Sequence, residues 1–278
     1  MISCRFVRLF LLVFCFSVIA AGLFAQGAAS SEYQPEVNQA GKDVQWVPTC
    51  QVLVDKMLDT AKVTPQDYVI DLGSGDGRLV ITAAKRGARA LGIEYDGRMV
   101  ALSKENAANA GLTDKARFVQ ADLFESDFTQ ATVITMFLLE DLNLKLRPQI
   151  LALKPGTRVV SNSFTMGEWK PDQTISVLDT QDCETFDTAY SWIVPANVKG
   201  TWRLAQGELT LKQEFQMFSG TLHSGANAVP VTNGTLSGDL ITFTVGNANY
   251  TGRVSGSTME GTYEFDGHSA KWNAAKVR

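Results

Sequence analysis

The stretch Asp71-Leu72-Gly73-Ser74-Gly75-Asp76-Gly77 decides the fold of this chain. It begins inside a short apolar run, residues 68–72, and leads directly into a helical pattern that starts at Arg78. Glycines at the end of a strand let the backbone approach a bound ligand where a side chain would collide with it. The stretch therefore predicts a ligand-binding loop between a buried strand and a helix.

Strand and helix patterns alternate on both sides of this loop. Apolar runs predict strands at residues 68–72, 88–95, 116–120, 131–138 and 157–163, and helical spacing predicts helices at 50–61, 78–86, 96–110 and 140–153. Thr49 is the expected N-cap of the first helix. Because right-handed crossovers join strands that alternate with helices, the pattern indicates an α/β domain with a Rossmann-like, doubly wound and mostly parallel sheet.

The sequence after Pro195 has a different texture, with glycines between short β-rich runs. Four phrases are loosely alike: Phe218–Leu222, Thr232–Leu236, Tyr250–Val254 and Met259–Tyr263. Their uneven spacing is not that of a solenoid repeat and suits consecutive hairpins, in which glycine takes turn and bulge positions. We expect residues 198–278 to form a small antiparallel β-rich domain of about six to eight strands, either a barrel or a curled sheet.

The amino-terminal segment has the pattern of a targeting sequence. Arg5 and Arg8 precede an apolar run, residues 9–25, and small and polar residues follow at 26–30. This is typical of a secretory signal peptide, here cleaved after Ala25 or Gly27. The alternative is an uncleaved anchor, because the run approaches the ~18–20 residues that span a bilayer.

The chain thus divides into four predicted segments: a signal peptide at 1–27, a linker at 28–44, an α/β domain at 45–197 and a β-rich domain at 198–278. The expected location is periplasmic or secreted, with no stable membrane span once the signal peptide is removed. The net charge of -4 over 278 residues argues against a nucleic-acid partner, which would require a basic face.

The glycine loop favours one cofactor over another. In the dinucleotide pattern GxGxxG counted from Gly73 and Gly75, the third glycine position is the bulky Arg78. Asp71 would repel a pyrophosphate but can meet the ammonium of a methionine moiety. The loop therefore favours S-adenosylmethionine over NAD.

Acids follow the next two strands at the same predicted edge of the sheet. Glu94, about twenty residues after the loop, is placed to accept hydrogen bonds from ribose hydroxyls. Asp122 is placed to accept one from the adenine amino group, and Tyr95 or Met99 could pack on the ring or belong to the core. The predicted cofactor-binding residues are Asp71, Gly73, Ser74, Gly75, Gly77, Glu94, Tyr95, Asp122 and Leu123.

Three stretches, residues 46–49, 71–84 and 155–161, resemble class I S-adenosylmethionine-dependent methyltransferases, in particular the ATP synthase c-subunit lysine methyltransferase family and its bacterial relatives. The resemblance covers about residues 43–169. It implies a seven-stranded sheet, bound S-adenosylmethionine, a lysine side chain as one acceptor, and a border of the cofactor pocket formed by residues 46–49. Cys50 stands where many relatives carry proline, and the β-rich tail has no counterpart in the c-subunit enzymes.

The sequence indicates less clearly which residues would bind the methyl acceptor. No Asn/Asp-Pro-Pro-Tyr stretch follows the fourth strand, so no general base is assigned. Glu140 or Asn143 either contacts an acceptor or belongs to the start of a helix. Phe164 and Trp169 either wall the acceptor site or lie in the core.

The sequence has too few histidines for other common kinds of catalytic site. His223 and His268 are the only histidines, so neither a metal site nor a Ser-His-Asp hydrolase is predicted. Cys50 and Cys183 form either one disulfide or two separate thiols.

The leading hypothesis is an exported methyltransferase acting on a protein side chain or small nucleophile. The alternative is a non-catalytic exported binding protein whose β-rich tail recognises an envelope component, and a nicotinamide-dependent oxidoreductase is disfavoured by Arg78.

Overall fold

The computed structural model describes residues 33–177, 183 and 185–277. The predicted signal peptide, residues 1–27, and the beginning of the linker lie outside the described residues. The described residues from 35 onward belong to one compact unit. Within the described part of the chain, no helix combines the length and the apolar character that a bilayer crossing requires.

A seven-stranded sheet with the order β3-β2-β1-β4-β5-β7-β6 forms the first half of this unit. Its strands are β1 (Tyr68–Leu72), β2 (Arg89–Glu94), β3 (Ala116–Gln120), β4 (Val133–Met136), β5 (Arg158–Asn162), β6 (Gln173–Ser176) and β7 (Thr188–Ile193). The first five pair in parallel, and β7 runs antiparallel to β5 and β6. The predicted Rossmann-like, doubly wound sheet is confirmed.

Four helices cover the sheet: α1 (Gln51–Thr60), α2 (Arg78–Lys85), α3 (Gly97–Asn109) and α4 (Glu140–Leu151). Leu53 and Val80 from α1 and α2 are buried in one hydrophobic layer, and Leu146 and Ile150 from α4 in the other. Strands β1 and β4 are buried along nearly their whole length, as expected for parallel strands with helices on both faces.

The first helix does not start as predicted. Its N-cap is Cys50, not Thr49, and no side chain caps it. The Thr49 hydroxyl instead accepts a hydrogen bond from the Asn162 amide at 3.1 Å, in a buried position beside β5. The Thr49 side chain therefore makes a tertiary hydrogen bond and not the N-cap hydrogen bond that the local sequence predicted.

The second half of the unit is an eight-stranded closed barrel. Its strands are β8 (Gly200–Leu204), β9 (Gly207–Glu214), β10 (Met217–Ser224), β11 (Asn227–Ser237), β12 (Leu240–Val245), β13 (Ala248–Ser255), β14 (Thr258–Phe265) and β15 (His268–Lys276). Each pairs antiparallel with the next, and β15 pairs with β8 to close the ring. The predicted antiparallel β-rich domain is confirmed in its closed form.

The glycines of the four similar phrases do not lie in the turns, where they were expected. Gly252 and Gly261 face each other inside β13 and β14, and a Cβ on Gly261 would stand 1.9 Å from the Thr251 carbonyl oxygen. Gly220 and Gly234 lie inside β10 and β11 next to shifts of register, so the bulge part of the expectation holds. These glycines serve close approach of strands, because a small barrel leaves little room inside.

The barrel contacts the sheet at the edge where the parallel strands begin. The Phe215 ring stacks on Trp169 with ring centres 6.0 Å apart and planes at 10°. Gln216 Nε2 donates to the Lys170 carbonyl at 2.9 Å, just before β6. Since β6 and β5 both run antiparallel to β7, residues before β6 lie at the amino edge of the sheet. The barrel is therefore on the side opposite the glycine loop.

Candidate active site

A cleft lies at the carboxyl edge of the sheet, between the glycine loop and a segment that we call the strap, residues 38–47. The strap is a small hairpin: the Asn38 amide donates to the Trp46 carbonyl at 2.8 Å, and Ala40 bridges to Gln45. The sequence pattern assigned residues 28–44 to a linker, yet residues 39–44 line the cleft. Nothing in their hydrophobic pattern indicated this position.

The loop after β1 has the backbone that its glycines allow. Gly73, Gly75 and Gly77 have φ values of 80°, 52° and 83°, in the left-handed region that favours glycine. A Cβ on Gly75 would stand 2.7 Å from the Trp46 indole nitrogen, so the strap closes directly onto the loop. Gly77 packs instead against the Phe118 ring and is the N-cap of α2, while Gly73 and Gly75 border the cleft.

Glu94 connects two parts of the cleft. Its two carboxylate oxygens accept hydrogen bonds from the Gly75 amide at 2.9 Å and the Asp96 amide at 3.0 Å. A carboxylate oxygen can accept more than one hydrogen bond, so both retain capacity toward the cleft. The side chain is thereby fixed at the end of β2 and is ready to accept from hydroxyl groups of a ligand.

Asp71 is a buried acid at the inner wall of the same cleft. Only 2% of the residue is exposed, and its carboxylate accepts a hydrogen bond from the Thr135 hydroxyl at 2.7 Å. Burial raises the pKa of Asp71 to about 7; the Thr135 hydrogen bond offsets part of this rise, and the nearby carboxylates of Glu94 and Asp76 add to it. A buried acid of this kind favours a cationic partner.

Asp122 lies at the margin and is already paired. Its carboxylate accepts hydrogen bonds from the Lys42 ammonium of the strap and from the Phe124 amide. These two donors hold the pKa of the Asp122 carboxyl below its usual range. The next residue, Leu123, lines the cleft together with Tyr95. The adenine contact of Asp122 stays a prediction, and the strap cation that shares this carboxylate was not foreseen.

The residues present fit S-adenosylmethionine. Ser74 lines the cleft, and its hydroxyl oxygen is buried against Gly92 without a hydrogen-bond partner within the described part of the chain. Asp71 and Glu94 supply carboxylates that suit a cation and hydroxyl groups, and Met99 and Leu123 offer apolar walls for a base. The assignment of each residue to a part of the cofactor remains a prediction.

Two expectations on the acceptor side are resolved by burial. Trp169 is fully buried against Trp192 and Phe215, so its core alternative is the correct one. Asn143 is also fully buried, and its amide donates to the carbonyls of Phe164 and Thr165, which makes it a structural residue.

The other two expected residues on this side remain accessible. Glu140 is exposed in the first turn of α4 and accepts a hydrogen bond from the Thr165 hydroxyl at 2.6 Å. Phe164 lies in a groove beside the strap.

The two described cysteines are joined. Cys50 and Cys183 form a disulfide with their Cα atoms 5.6 Å apart, across 133 residues of sequence. The bond ties the start of α1 to the segment that leads into β7. The alternatives left open by the sequence are thus decided in favour of one disulfide.

Known proteins resemble part of this chain in sequence and in fold. Residues 71–173 match the family model of the ANTKMT methyltransferase domain. A protein-lysine N-methyltransferase from Saccharolobus islandicus is 41% identical over 154 residues, which cover 54% of this chain and 94% of that protein. The lysine N-methyltransferase of the ATP synthase c-subunit from Mus musculus is 33% identical over 129 residues, which cover 46% of this chain but 49% of the mouse enzyme.

A solved structure extends the likeness to three dimensions. The crystal structure of an RNA methyltransferase from Salinibacter ruber in complex with S-adenosyl-L-homocysteine is 46% identical, with a TM-score of 0.51 over 55% of this chain and 96% of that one. Sheet order, cleft and comparisons define a class I S-adenosylmethionine-dependent methyltransferase. More narrowly, the chain belongs to the ANTKMT methyltransferase family.

Asp71→Asn tests the inner wall of the cleft. Because the folded-state pKa is raised, the stability contributed by the protonated carboxyl is full below about pH 4 and is lost as the pH rises through about 7. The variant cannot ionise, so its melting temperature relative to the native protein should increase from about pH 5 to about pH 8. Its affinity for S-adenosylhomocysteine, measured by calorimetric titration, should fall about 10- to 100-fold with the loss of a charge-assisted contact.

The control is Asp127→Asn, which removes an exposed acid whose pKa is lowered by the Thr129 hydroxyl and amide. Because this carboxyl is ionised in both the folded and the unfolded state above about pH 5, the stability of the variant relative to the native protein should stay constant from about pH 5 to about pH 8, and its ligand affinity should not change. Native-like affinity in Asp71→Asn would show that Asp71 does not face the cofactor.

Proposed function

We propose that this chain is an exported protein-lysine methyltransferase. Methyl transfer from S-adenosylmethionine is given by the family, whereas the acceptor and the compartment are the proposed parts. The lysine acceptor is supported above all by the Saccharolobus islandicus enzyme, which is matched over 94% of its length. The net charge of -4 and the acids around the cleft disfavour RNA, the acceptor class named for the Salinibacter ruber enzyme.

The described side chains suit a positioning mechanism. When bound, S-adenosylmethionine supplies an electrophilic methyl group on a sulfonium. Asp71 and Glu94 would hold the two polar ends of the ligand, and the strap, through Trp46, would exclude water from one side. Fixed approach of a desolvated nucleophile is the main source of acceleration in such a displacement.

Export is supported by two independent features. The amino-terminal segment has the sequence character of a signal peptide, and the Cys50–Cys183 disulfide is of a kind that persists in oxidising compartments and is rare in the cytosol. In the chain-entropy model, closing a loop of 133 residues stabilises a fold by about 5 kcal/mol, which would be lost on reduction.

The acceptor is tested by transfer of a labelled methyl group. The purified protein, residues 28–278, is incubated with methyl-labelled S-adenosylmethionine and, separately, with envelope proteins and total RNA from the source cells. We expect label in protein, recovered as methyllysine after acid hydrolysis. Glu94→Gln, which weakens the predicted ribose contact, should reduce incorporation at limiting cofactor by about 10-fold or more. Label in RNA and none in lysine would overturn the proposed acceptor.

The compartment is tested by sequencing the mature amino terminus. The full chain is expressed in the source cells with its own leader, and the protein is fractionated and mapped without reduction. We expect a mature terminus after Ala25 or Gly27, a location outside the cytoplasm and a peptide pair linked through Cys50 and Cys183. A cytoplasmic protein that keeps Met1 and has free thiols would contradict export.

A further inference from the structure

Three phenylalanines form one wall of a groove on the outer side of the strap. The Phe186 ring meets the Phe137 ring edge-on with centres 5.2 Å apart, and Phe164 lies 6.3 Å from each. They come from three separate places in the fold: the end of β4, the end of β5 and the segment before β7. We call this cluster the phenylalanine wall.

The groove adjoins the cofactor cleft. Phe137 and Leu138 border both, and strap residues 40–45 and 47 separate them as a shared wall. Phe137 and Leu138 are thus the residues at which a group lying along the phenylalanine wall would meet the cleft, and Leu138 packs against Gly73 of the glycine loop. This is the geometry that a methyl acceptor needs.

Charge in the groove is confined to its strap side. Among the groove's described lining residues, the titratable ones are Lys42 and Asp43, and Lys42 is bound to Asp122. Asp43 has a side chain 40% exposed and lies 3.8 Å from the Lys42 ammonium. A cationic chain can be drawn toward Asp43, and the aromatic rings beside it offer no hydrogen bonds to replace those of water.

We propose that this groove is the acceptor channel and that the phenylalanine wall packs on the methylene stem of a lysine side chain. The inference rests on the proposed function and adds the residues that select the acceptor. Burial of an ammonium in apolar surroundings lowers its pKa, so the channel itself favours the uncharged amine, and the proton is released to water before transfer. No general base on the chain is then needed.

The transfer step balances without another reactant. The amine lone pair forms a bond to the methyl carbon as the carbon–sulfur bond breaks. The electrons of that bond remain on sulfur, which gives S-adenosylhomocysteine and a methylammonium product. The chain's contribution is the alignment of the stem along the phenylalanine wall and the exclusion of water.

The disulfide lies close in sequence to one residue of this channel. Phe186 lies three residues after Cys183, which is bonded to Cys50 at the start of α1. Residues 46–49, immediately before Cys50, line the cofactor cleft. The bond therefore links the chain close to Phe186 with the segment that borders the cofactor cleft.

The channel is tested by binding of a blocked lysine, Nα-acetyl-lysine methylamide, to the protein saturated with S-adenosylhomocysteine, followed by NMR titration. Native protein should bind it. Phe164→Ala and Phe186→Ala should weaken binding at least tenfold, and Phe164→Leu and Phe186→Leu, which keep apolar contact, should weaken it less. Phe265→Ala, which truncates an exposed ring on the barrel, is the matched control and should bind as the native protein does.

A second measurement separates this inference from the proposed function. Affinity for S-adenosylhomocysteine should stay within about twofold of native in every variant, which also shows that each is folded. If the alanine variants bind the blocked lysine and methylate protein lysine as the native protein does, the channel is wrong while lysine methylation stands. If native protein binds no blocked lysine at all, the inference is overturned regardless of the cofactor result.

Discussion

The hydrogen bond between the Glu94 carboxylate and the Gly75 amide is the contact on which the cleft depends. It joins the end of β2 to the loop after β1, two segments that parallel pairing already places side by side. The loop can take this path because Gly75 tolerates a positive φ and leaves room for the Trp46 indole. One carboxylate thus sets the loop, and the loop sets where the strap rests. The cofactor cleft is the space that remains between them.

Among the residues that the structure describes, none from the barrel lines that cleft. Its contacts with the sheet, through Phe215 and Gln216, lie at the amino edge, whereas Asp71 and Glu94 lie at the carboxyl edge. Both walls of the groove that leads to the cleft come from the α/β half and the strap. The cofactor cleft and the barrel are therefore spatially separate.

The sequence predicted the structure correctly where an element and the residues that define it are neighbours in the chain. The apolar runs predicted the sheet, and the acids at the ends of β1 and β2 could be placed at one edge because parallel strands end on the same side. Local sequence failed where distant segments meet. Phe186 joins the other two phenylalanines, and Cys183 meets Cys50, only through the packing of β7. The strap has neither helical nor strand periodicity. Thr49 shows the same limit, since a buried amide far along the chain decides its role.

The most direct test is a crystal structure of the protein with S-adenosylhomocysteine bound. We predict that the ligand lies between the glycine loop and the strap, with its ribose hydroxyls within hydrogen-bond distance of the Glu94 carboxylate and its ammonium facing Asp71. A ligand bound elsewhere, or placed with its adenine against Asp71, would contradict this prediction.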